Sequence, residues 1–385
     1  MKTELLFYSD PYAAEFTAQV LECAPDSDKW RIVLDCTCFY PEGGGQPGDT
    51  GRLNEVNILD TRVKDGIVSH IADGPLNVGA QAMGAVDFAR RYRFMQNHAG
   101  EHIISGLARE YFGARNVGFN LAEAGMRIDF DVELSDDDLA RLERGSNEAT
   151  YRNLPITACF YSQKDATALD YRSKKELTGD IRIITVEDYD TCACAGLHVA
   201  RTGEIGIFKI ISHQRYKGGS RILAVCGYDA LDDYRGKHEQ IAQISAGLSA
   251  KPNEASAAVR RMSDELAQVR FAKNNLQRQI FTYKTNAISE DSPFALFFEE
   301  GLTPQEMQLF ANEAVVRATV VLIFSENAGN YNYLLFTNGP MDLRDLANAI
   351  NAAFGGRGGG KPNAPQGMIS ATRQDIERFI EEKIK

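Results

Sequence analysis

Apolar residues recur along this chain at changing periods, and the changes divide it into four blocks. Through residues 1–88 the apolar runs are short, as in Arg31–Tyr40, Val56–Leu59 and Gly66–Ile71, with turn residues between them. Short strands at this spacing predict a small β-barrel. In block 89–228 the period changes. Ile103, Ile104, Leu107, Ala108 and Tyr111 follow helical spacing within His98–Phe112, and strand-like runs appear later at Ile181–Val186 and Ile205–Ile211. This block reads as α+β. In block 229–284 the steps become 3, 4, 3, 4, 3, 4 over Val259, Met262, Leu266, Val269, Lys273, Leu276 and Ile280. That is an a/d seam with one polar position, Lys273. A shorter seam uses Leu231, Tyr234, His238, Ile241 and Leu248, and Ser249–Glu254 turns between them. The pair predicts an antiparallel helical hairpin. Block 285–385 predicts an α/β domain, with strands at Val320–Ser325 and Tyr331–Phe336, a helix at Leu343–Phe354 and a glycine-dense loop over 355–367. The expected fold class is therefore α+β: a small N-terminal barrel, an α+β domain, a hairpin linker and a C-terminal α/β domain.

Composition narrows the class. Hydrophobic residues make up 44% of the chain and charged residues 25%, as in a soluble globular protein. No run of about twenty apolar residues is present to span a membrane. The N-terminal stretch is too polar for a signal peptide. Seven cysteines without framework spacing suit a reducing cytoplasm, with thiols free or on metal. The formal net charge of −11 argues against a non-specific nucleic-acid coat, but leaves room for an enzyme with a local basic groove.

The candidate chemistry lies in two pairs. His98 and His102 are spaced i, i+4 in N-H-A-G-E-H, and Cys194 and His198 are spaced i, i+4 in C-A-G-L-H. Two residues so spaced share one helix face, and one thiolate with three imidazoles makes a tetrahedral zinc set. The chain has only 6 histidines, and three of them fall in these pairs. The bland alternative is a set of surface or buried histidines beside an inert thiol. Glu101 directly precedes His102, unlike the Glu of H-E-x-x-H, and is expected to point off the ligand face. Cys192 is a second-ranked competitor to Cys194 as ligand.

Together, F-Y-P-E-G-G-G-Q-P-G-D-T-G, H-A-G-E-H-I-I-S-G, C-A-G-L-H-V-A-R-T-G-E-I-G-I-F-K-I and G-G-R-G-G-G-K-P-N-A-P-Q-G run in this order along nearly the whole chain. They resemble the editing domain and the C-terminal, DHH-associated domain of alanyl-tRNA synthetases, and the chain resembles the long-form AlaX proteins. The resemblance implies a cytoplasmic aminoacyl-tRNA deacylase that hydrolyses mischarged alanine tRNA, chiefly Ser-tRNA, with Gly-tRNA a further candidate. The chain begins at the editing barrel, so a class II aminoacylation domain is not expected. The implied metal is one zinc per chain, on His98, His102, Cys194 and His198. With four protein ligands, such a zinc organises the pocket or exchanges a ligand on substrate binding.

The resemblance also implies roles for single residues. Thr37 matches the threonine that reads the serine side chain; otherwise it is a strand residue packing its methyl. Gln46 follows three glycines and is placed in the pocket, orienting water or the ester; otherwise it is a turn residue. The departures from C-G-G-T-H are Ala195 and Leu197, and Leu197 is expected to narrow the pocket. Arg201, Lys209, Arg215, Lys217 and Arg221 could hold acceptor-stem phosphates or be ordinary solvated charges. Arg357 and Lys361 sit in the glycine-dense loop, which lacks a P-loop ending and resembles a tRNA-contacting segment. The second seam, broken at Pro252, reads as an internal hairpin rather than a dimer coil, and the implied partners are tRNA and, through the C-terminal region, a second copy. Two other functions compete. One is a DHH-type phosphoesterase, for which no D-H-H run exists, and the other is a non-catalytic tRNA-binding protein that retains an editing fold.

Overall fold

The computed structural model describes residues 2–173, 179–290 and 292–384, and divides into two compact units, Met1–Gln243 and Ile244–Lys385. Among the described residues the helices are α1 (Phe88–Phe112), α2 (Asp136–Arg152), α3 (Gln163–Ala166), α4 (Gly227–Gly247), α5 (Ala255–Asn286), α6 (Pro304–Ala314), α7 (Arg344–Ala353) and α8 (Arg373–Ile384). With twenty strands beside them among the described residues, the chain is α+β.

The first unit opens with the expected barrel. Six strands close it in the order Glu15–Asp26, Lys29–Leu34, Ile67–Ala72, Val56–Lys64, Gly51–Leu53 and Gln81–Val86. Alternate residues point inward, and Val20, Ile32, Leu34, Leu53, Ile58 and Ala82 fill the interior. The single strand expected over Arg31–Tyr40 is in fact shorter. It stops at Leu34, and only Cys36–Thr37 pairs again, in parallel with Glu4–Leu5. Asp35 breaks the run, because its carboxylate accepts from the backbone amides of Gln19 and Cys36.

Helix α1 starts ten residues before its periodic stretch. Asp87 caps it by accepting from the Arg90 amide, and Gly113 ends it at a left-handed φ of 63°. Buried residues run almost unbroken from Phe94 to Ala108, so the helix is enclosed rather than amphipathic. Arg91 ties it to the barrel. Its guanidinium, fully buried, grips the Asp49 carboxylate and donates to the Ala13 carbonyl at 3.0 Å. Asp49 in turn accepts from the Tyr40 amide at 2.7 Å. This buried pair fixes the glycine-rich segment against the helix that carries His98 and His102.

Two further sheets complete the unit. One has four strands, ordered Phe208–Tyr216, Gly219–Cys226, Gly125–Phe130 and Asn116–Ala122. The other has three, ordered Ile156–Tyr161, Ile181–Val186 and Asp190–Ala193. The strand expected from Ile205 begins only at Phe208, because Thr202–Ile205 forms a 3-10 turn held by Glu204, whose carboxylate accepts from the Arg201 amide.

The second unit carries a five-stranded sheet, ordered Ser292–Glu300, Ala318–Asn327, Asn330–Phe336, Ala364–Ile369 and Arg357–Lys361. The strand Ala318–Asn327 sends Val321 and Ile323 to one face, with Phe281, Met307 and Phe310. It sends Leu322 and Phe324 to the other, with Ile350, Ile376 and Ile380. The segment expected as a glycine-dense loop is instead an edge hairpin. Arg357–Lys361 pairs antiparallel with the next strand, Gly358 opposite Gly367. A Cβ at Gly358 would lie 2.4 Å from the Gln366 carbonyl oxygen and 2.6 Å from Tyr333 Oη. Glycine lets the edge strand lie there, and its low strand propensity hid that strand from the sequence.

The seam of α5 is exposed. Val259, Met262, Leu266, Val269, Leu276 and Ile280 are each between 43% and 65% accessible. Its one polar position is accounted for within the unit, since Lys273 pairs with Glu306 at 2.8 Å.

Candidate metal centre

Four side chains from two distant segments converge in the first unit. His98 and His102 lie one turn apart on α1, as their spacing predicts. Cys194 and His198 do not lie on a helix. They flank an irregular loop that follows the strand Asp190–Ala193. The loop is pressed against α1 because residue 196 is glycine, and a Cβ there would sit 2.0 Å from His98 Cε1. The four ligand atoms all lie within 4.8 Å of one another. Cys194 Sγ is 3.3 Å from His98 Nε2 and 3.8 Å from His198 Nε2.

Neighbouring residues fix which ring nitrogens face inward. Gln46 Oε1 is met by His98 Nδ1 at 3.0 Å and by the Leu197 amide at 3.2 Å. An atom facing a backbone donor is the amide oxygen, so His98 Nδ1 carries the proton and Nε2 offers a lone pair. His102 Nδ1 donates to Asp190 Oδ2 at 2.7 Å, and Arg172 clamps both oxygens of Asp190 at 2.7 and 2.6 Å. His102 Nε2 is buried with no hydrogen-bond partner among the described residues. A metal ion is the partner such a nitrogen lacks.

The electrostatics suit a bound cation. Burial pushes the Cys194 thiol up, yet His98, His102 and His198 around it hold it well below its ordinary value, which favours thiolate. Burial, then His98, lowers His198 to about 3, which keeps it neutral as a ligand must be. Burial works against a charged His102, but the bond to Asp190 overrides it and raises that imidazole well above the usual range. The same pull makes His102 a more basic ligand. Cys192 is buried and belongs to a second possible group with His102 and Asp190, so the sequence alternative has a place in the structure.

Beside the four residues opens a cavity of about 430 Å³, within the range of small-molecule sites. Gly44, Gly45, Phe119 and Ala193–Ala195 help line it. Gly45 adopts a φ of 84°, and a Cβ there would meet Phe119 Cδ1 at 2.8 Å. Glu101 also lines the cavity, contrary to the expectation that it points away. Its carboxylate is held inward by Ser105 at 2.8 Å and Asn116 at 2.5 Å. Helical spacing alone could not show this, because Ser105 on the same helix acts together with Asn116 and Arg172, which come from outside it.

The other predicted residues are placed as follows. Gln46 is fully buried, and its carbonyl oxygen is taken by His98 and Leu197. Thr37 is fully buried and is not among the residues lining the cavity. His70 Nδ1 donates to the Ile32 carbonyl, so its Nε2 accepts from the Thr37 hydroxyl at 2.9 Å. The Phe39 amide donates to the same hydroxyl. Leu197 turns into the hydrophobic core rather than the pocket. Around 201–221 most cations already have partners. Lys209 pairs with Glu143, Arg215 with Glu133, and Arg221 with both oxygens of Asp129. Arg201 donates to the Asn153 carbonyl, and Lys217 lies 5.2 Å from the Tyr216 ring centroid. Arg357 and Lys361 are exposed at the ends of their edge strand, without an ion pair among the described residues. Sequence reasoning missed Asp190 and Arg172, for which no spacing signal existed.

Comparison with known proteins defines a class. Residues 181–222 match the family described as threonyl and alanyl tRNA synthetase second additional domain. Residues 4–90 match tRNA synthetases class II (A), and 291–385 match the DHHA1 domain. Together these matches make the chain similar to the alanyl-tRNA editing proteins of the long AlaX type. One relative is the alanyl-tRNA editing protein AlaX-L of Pyrococcus horikoshii, 28% identical over 99% of this chain and 98% of its own length. Alanine–tRNA ligases from Methanococcus maripaludis (28% identical) and Caldivirga maquilingensis (29%) match 98% and 99% of this chain, which spans 43% and 44% of their lengths. Among solved structures, the C-Ala domain of Aquifex aeolicus alanyl-tRNA synthetase is 19% identical, at a TM-score of 0.22, over 25% of this chain and 93% of that one. No helix among the described residues is long and apolar enough to cross a membrane.

Proposed function

We propose that this protein is a cytoplasmic, zinc-containing deacylase that hydrolyses the ester of mischarged alanine tRNA, chiefly Ser-tRNA and secondarily Gly-tRNA. The observation that carries the reading is the convergence of His98, His102, Cys194 and His198, the first three of which line a ligand-sized cavity. The family supplies the substrate class. One zinc would be held by these four side chains. With Zn–N near 2.0–2.1 Å and Zn–S near 2.3 Å, tetrahedral ligand atoms stand roughly 3.3–3.6 Å apart, close to the 3.3 and 3.8 Å separations seen here. The ion would organise the pocket, or, on exchanging one of the four ligands, polarise an oxygen brought against it.

The chain's own residues do the rest. Gly44 and Gly45 let substrate approach the backbone closely. Glu101 presents a carboxylate to the cavity, suited to the α-ammonium that every aminoacyl ester carries. Gln46 acts by holding His98, and Asp190 by holding His102. Hydrolysis adds water across the ester. The water oxygen bonds to the carbonyl carbon, the bond to the ribose oxygen breaks, and that oxygen leaves as the hydroxyl with a proton. Selection of serine is assigned to Thr37 on the family resemblance; its hydroxyl is bonded to His70 and to the Phe39 amide and is outside the residues that line the cavity.

Binding of tRNA phosphates is assigned first to Arg357 and Lys361, because they have no ion pair among the described residues, and second to the 201–221 cations. The a/d seam of α5, expected to pack within an internal hairpin, is exposed instead and suits a homodimer through the C-terminal region, since such a repeat is complementary to a second copy of itself.

The test is deacylation of alanine tRNA charged with serine, glycine or alanine. Serine should be released fastest and alanine slowest. Thr37→Val keeps shape and removes the hydroxyl, so it should lower the serine preference and leave zinc content unchanged. An unaltered serine-to-alanine ratio makes Thr37 a packing residue. Binding of tRNA with no deacylation of any ester would favour a non-catalytic tRNA-binding protein.

A further inference from the structure

A second, smaller cavity of about 230 Å³ is lined in part by Ala193, Cys194 and Ala195, the segment that also lines the metal cavity. Nothing in the proposed hydrolysis uses it. Its lining is aromatic and cationic, with Tyr8, Phe160 and Arg182 at its centre. Phe160 lies on the edge strand Ile156–Tyr161, directly opposite Arg182 in register, and is 56% exposed. Its ring meets Tyr8 edge-on, with centroids 5.6 Å apart. The Arg182 guanidinium lies 5.0 Å from the Tyr8 centroid.

These groups are built in rather than loosely placed. Arg182 Nη1 donates to the carbonyls of Cys194 and Gly196, at 3.0 and 2.7 Å. Tyr8 Oη donates to the Ala195 carbonyl at 3.0 Å. The loop that carries two metal-ligating residues is thus fastened to the floor of the second cavity. Arg182 Nε is buried with no hydrogen-bond partner among the described residues, a donor that awaits an acceptor. Asp180 at the rim adds an acceptor for an amine or a hydroxyl.

We infer that this cavity binds the terminal nucleobase of the tRNA, a purine, stacked on Phe160 beside Tyr8 and Arg182; the inference rests on the deacylase reading. An exposed aromatic ring with a guanidinium next to it is the platform on which bases stack. The ester in the metal cavity is attached to the last ribose, so the last base must lie within one nucleotide of it. The two cavities share a three-residue wall, which meets that condition. An amino-acid side chain already has the metal cavity, and a phosphate alone would gain nothing from an exposed phenyl ring. The platform would also explain how a site that sees so little of the tRNA orients the ester: the base fixes the ribose, and the ribose fixes the carbonyl.

The experiment compares two small esters, O-seryl adenosine and O-seryl ribose 5-phosphate, with the full chain. The intact protein should favour the ester that carries the base by about tenfold in kcat/KM, expressed mainly in KM. Phe160→Ala should reduce that ratio to near one, with zinc content and melting unchanged. Phe160→Trp should restore it, and Phe160→Leu, which keeps apolar volume without a ring face, should not. Equal rates for both esters in the intact protein, or full rescue by Phe160→Leu, would overturn the platform while leaving the deacylase standing. If the intact protein cleaves neither these esters nor seryl-tRNA, the deacylase reading fails by itself. The platform is then decided by equilibrium dialysis with adenosine: binding lost in Phe160→Ala supports it, and binding absent or unchanged overturns it.

Discussion

The metal centre and the glycine hairpin at 357–369 are built on opposite plans. In the first, every functional side chain is buried or half-buried, and most are bonded twice over. His98 leans on Gln46, His102 on Asp190, and Asp190 on Arg172. In the second, Arg357 and Lys361 stand exposed on a strand whose three intervening residues are glycine. The difference follows from the job assigned to each. Holding an ion and aiming an ester needs groups fixed in advance, and fixing requires burial and partners. Meeting a phosphate backbone needs charge that is hydrated, mobile and close to the chain surface. The 201–221 cations fall between the two, near the site but mostly spent on local carboxylates.

Breaking the metal centre should have the largest effect. Purified protein is expected to hold near-stoichiometric zinc by elemental analysis. Cys194→Ala should lose most of it, and deacylation with it, by more than the roughly 10–100-fold that a lost supporting residue costs. Full zinc retention would move the ligand to Cys192. Next come the supports themselves. Gln46→Ala and Asp190→Ala should each weaken zinc about 10–100-fold in a chelator competition while the fold persists. Unchanged affinity would mean that Gln46 and Asp190 only pack. A smaller effect belongs to the hairpin. Arg357→Ala with Lys361→Ala should flatten the salt dependence of tRNA affinity by about two phosphate contacts, with zinc untouched. An unaltered slope would return the phosphate contacts to the cations around 201–221.

The smallest effect tests an ordinary helix start as a baseline for both regions. The Glu306 carboxylate accepts from Lys273 and from the Thr303 amide, and these bonds lower it from 4.5 to about 2. A depressed carboxylate stabilises the fold above its unfolded value and loses that contribution as pH falls through its folded value. Glu306→Gln should therefore cost about 1 kcal/mol at neutral pH, typical of a lost cap. The gap from the parent should close between pH 4.5 and about 2 in urea unfolding. A gap that stays constant with pH would show that charge is not what Glu306 contributes.

Much of this was legible in the chain itself. Regular spacing carried the strand Ile181–Val186, the seam of α5 and the four residues that could hold a metal, because period and residue type are local properties. Spacing also misled. The i, i+4 interval of Cys194 and His198 suggested a helix, but a loop brings them together, held close by Gly196 against His98. Gly358–Gly360 suggested a loop and formed a strand, because the neighbouring strand imposed pairing that glycine does not seek.

By itself, then, the sequence determined which atoms could bind a metal, the α+β class and the family motifs. Only the tertiary structure decided which ring nitrogen of each histidine faces inward, that Glu101 enters the cavity, that the Thr37 hydroxyl is occupied by His70, and that Asp190 with Arg172 supports the site. The reason is physical. A side chain's type is written at one position, but its direction and protonation depend on partners far away in the chain, such as the 88 residues that separate His102 from Asp190.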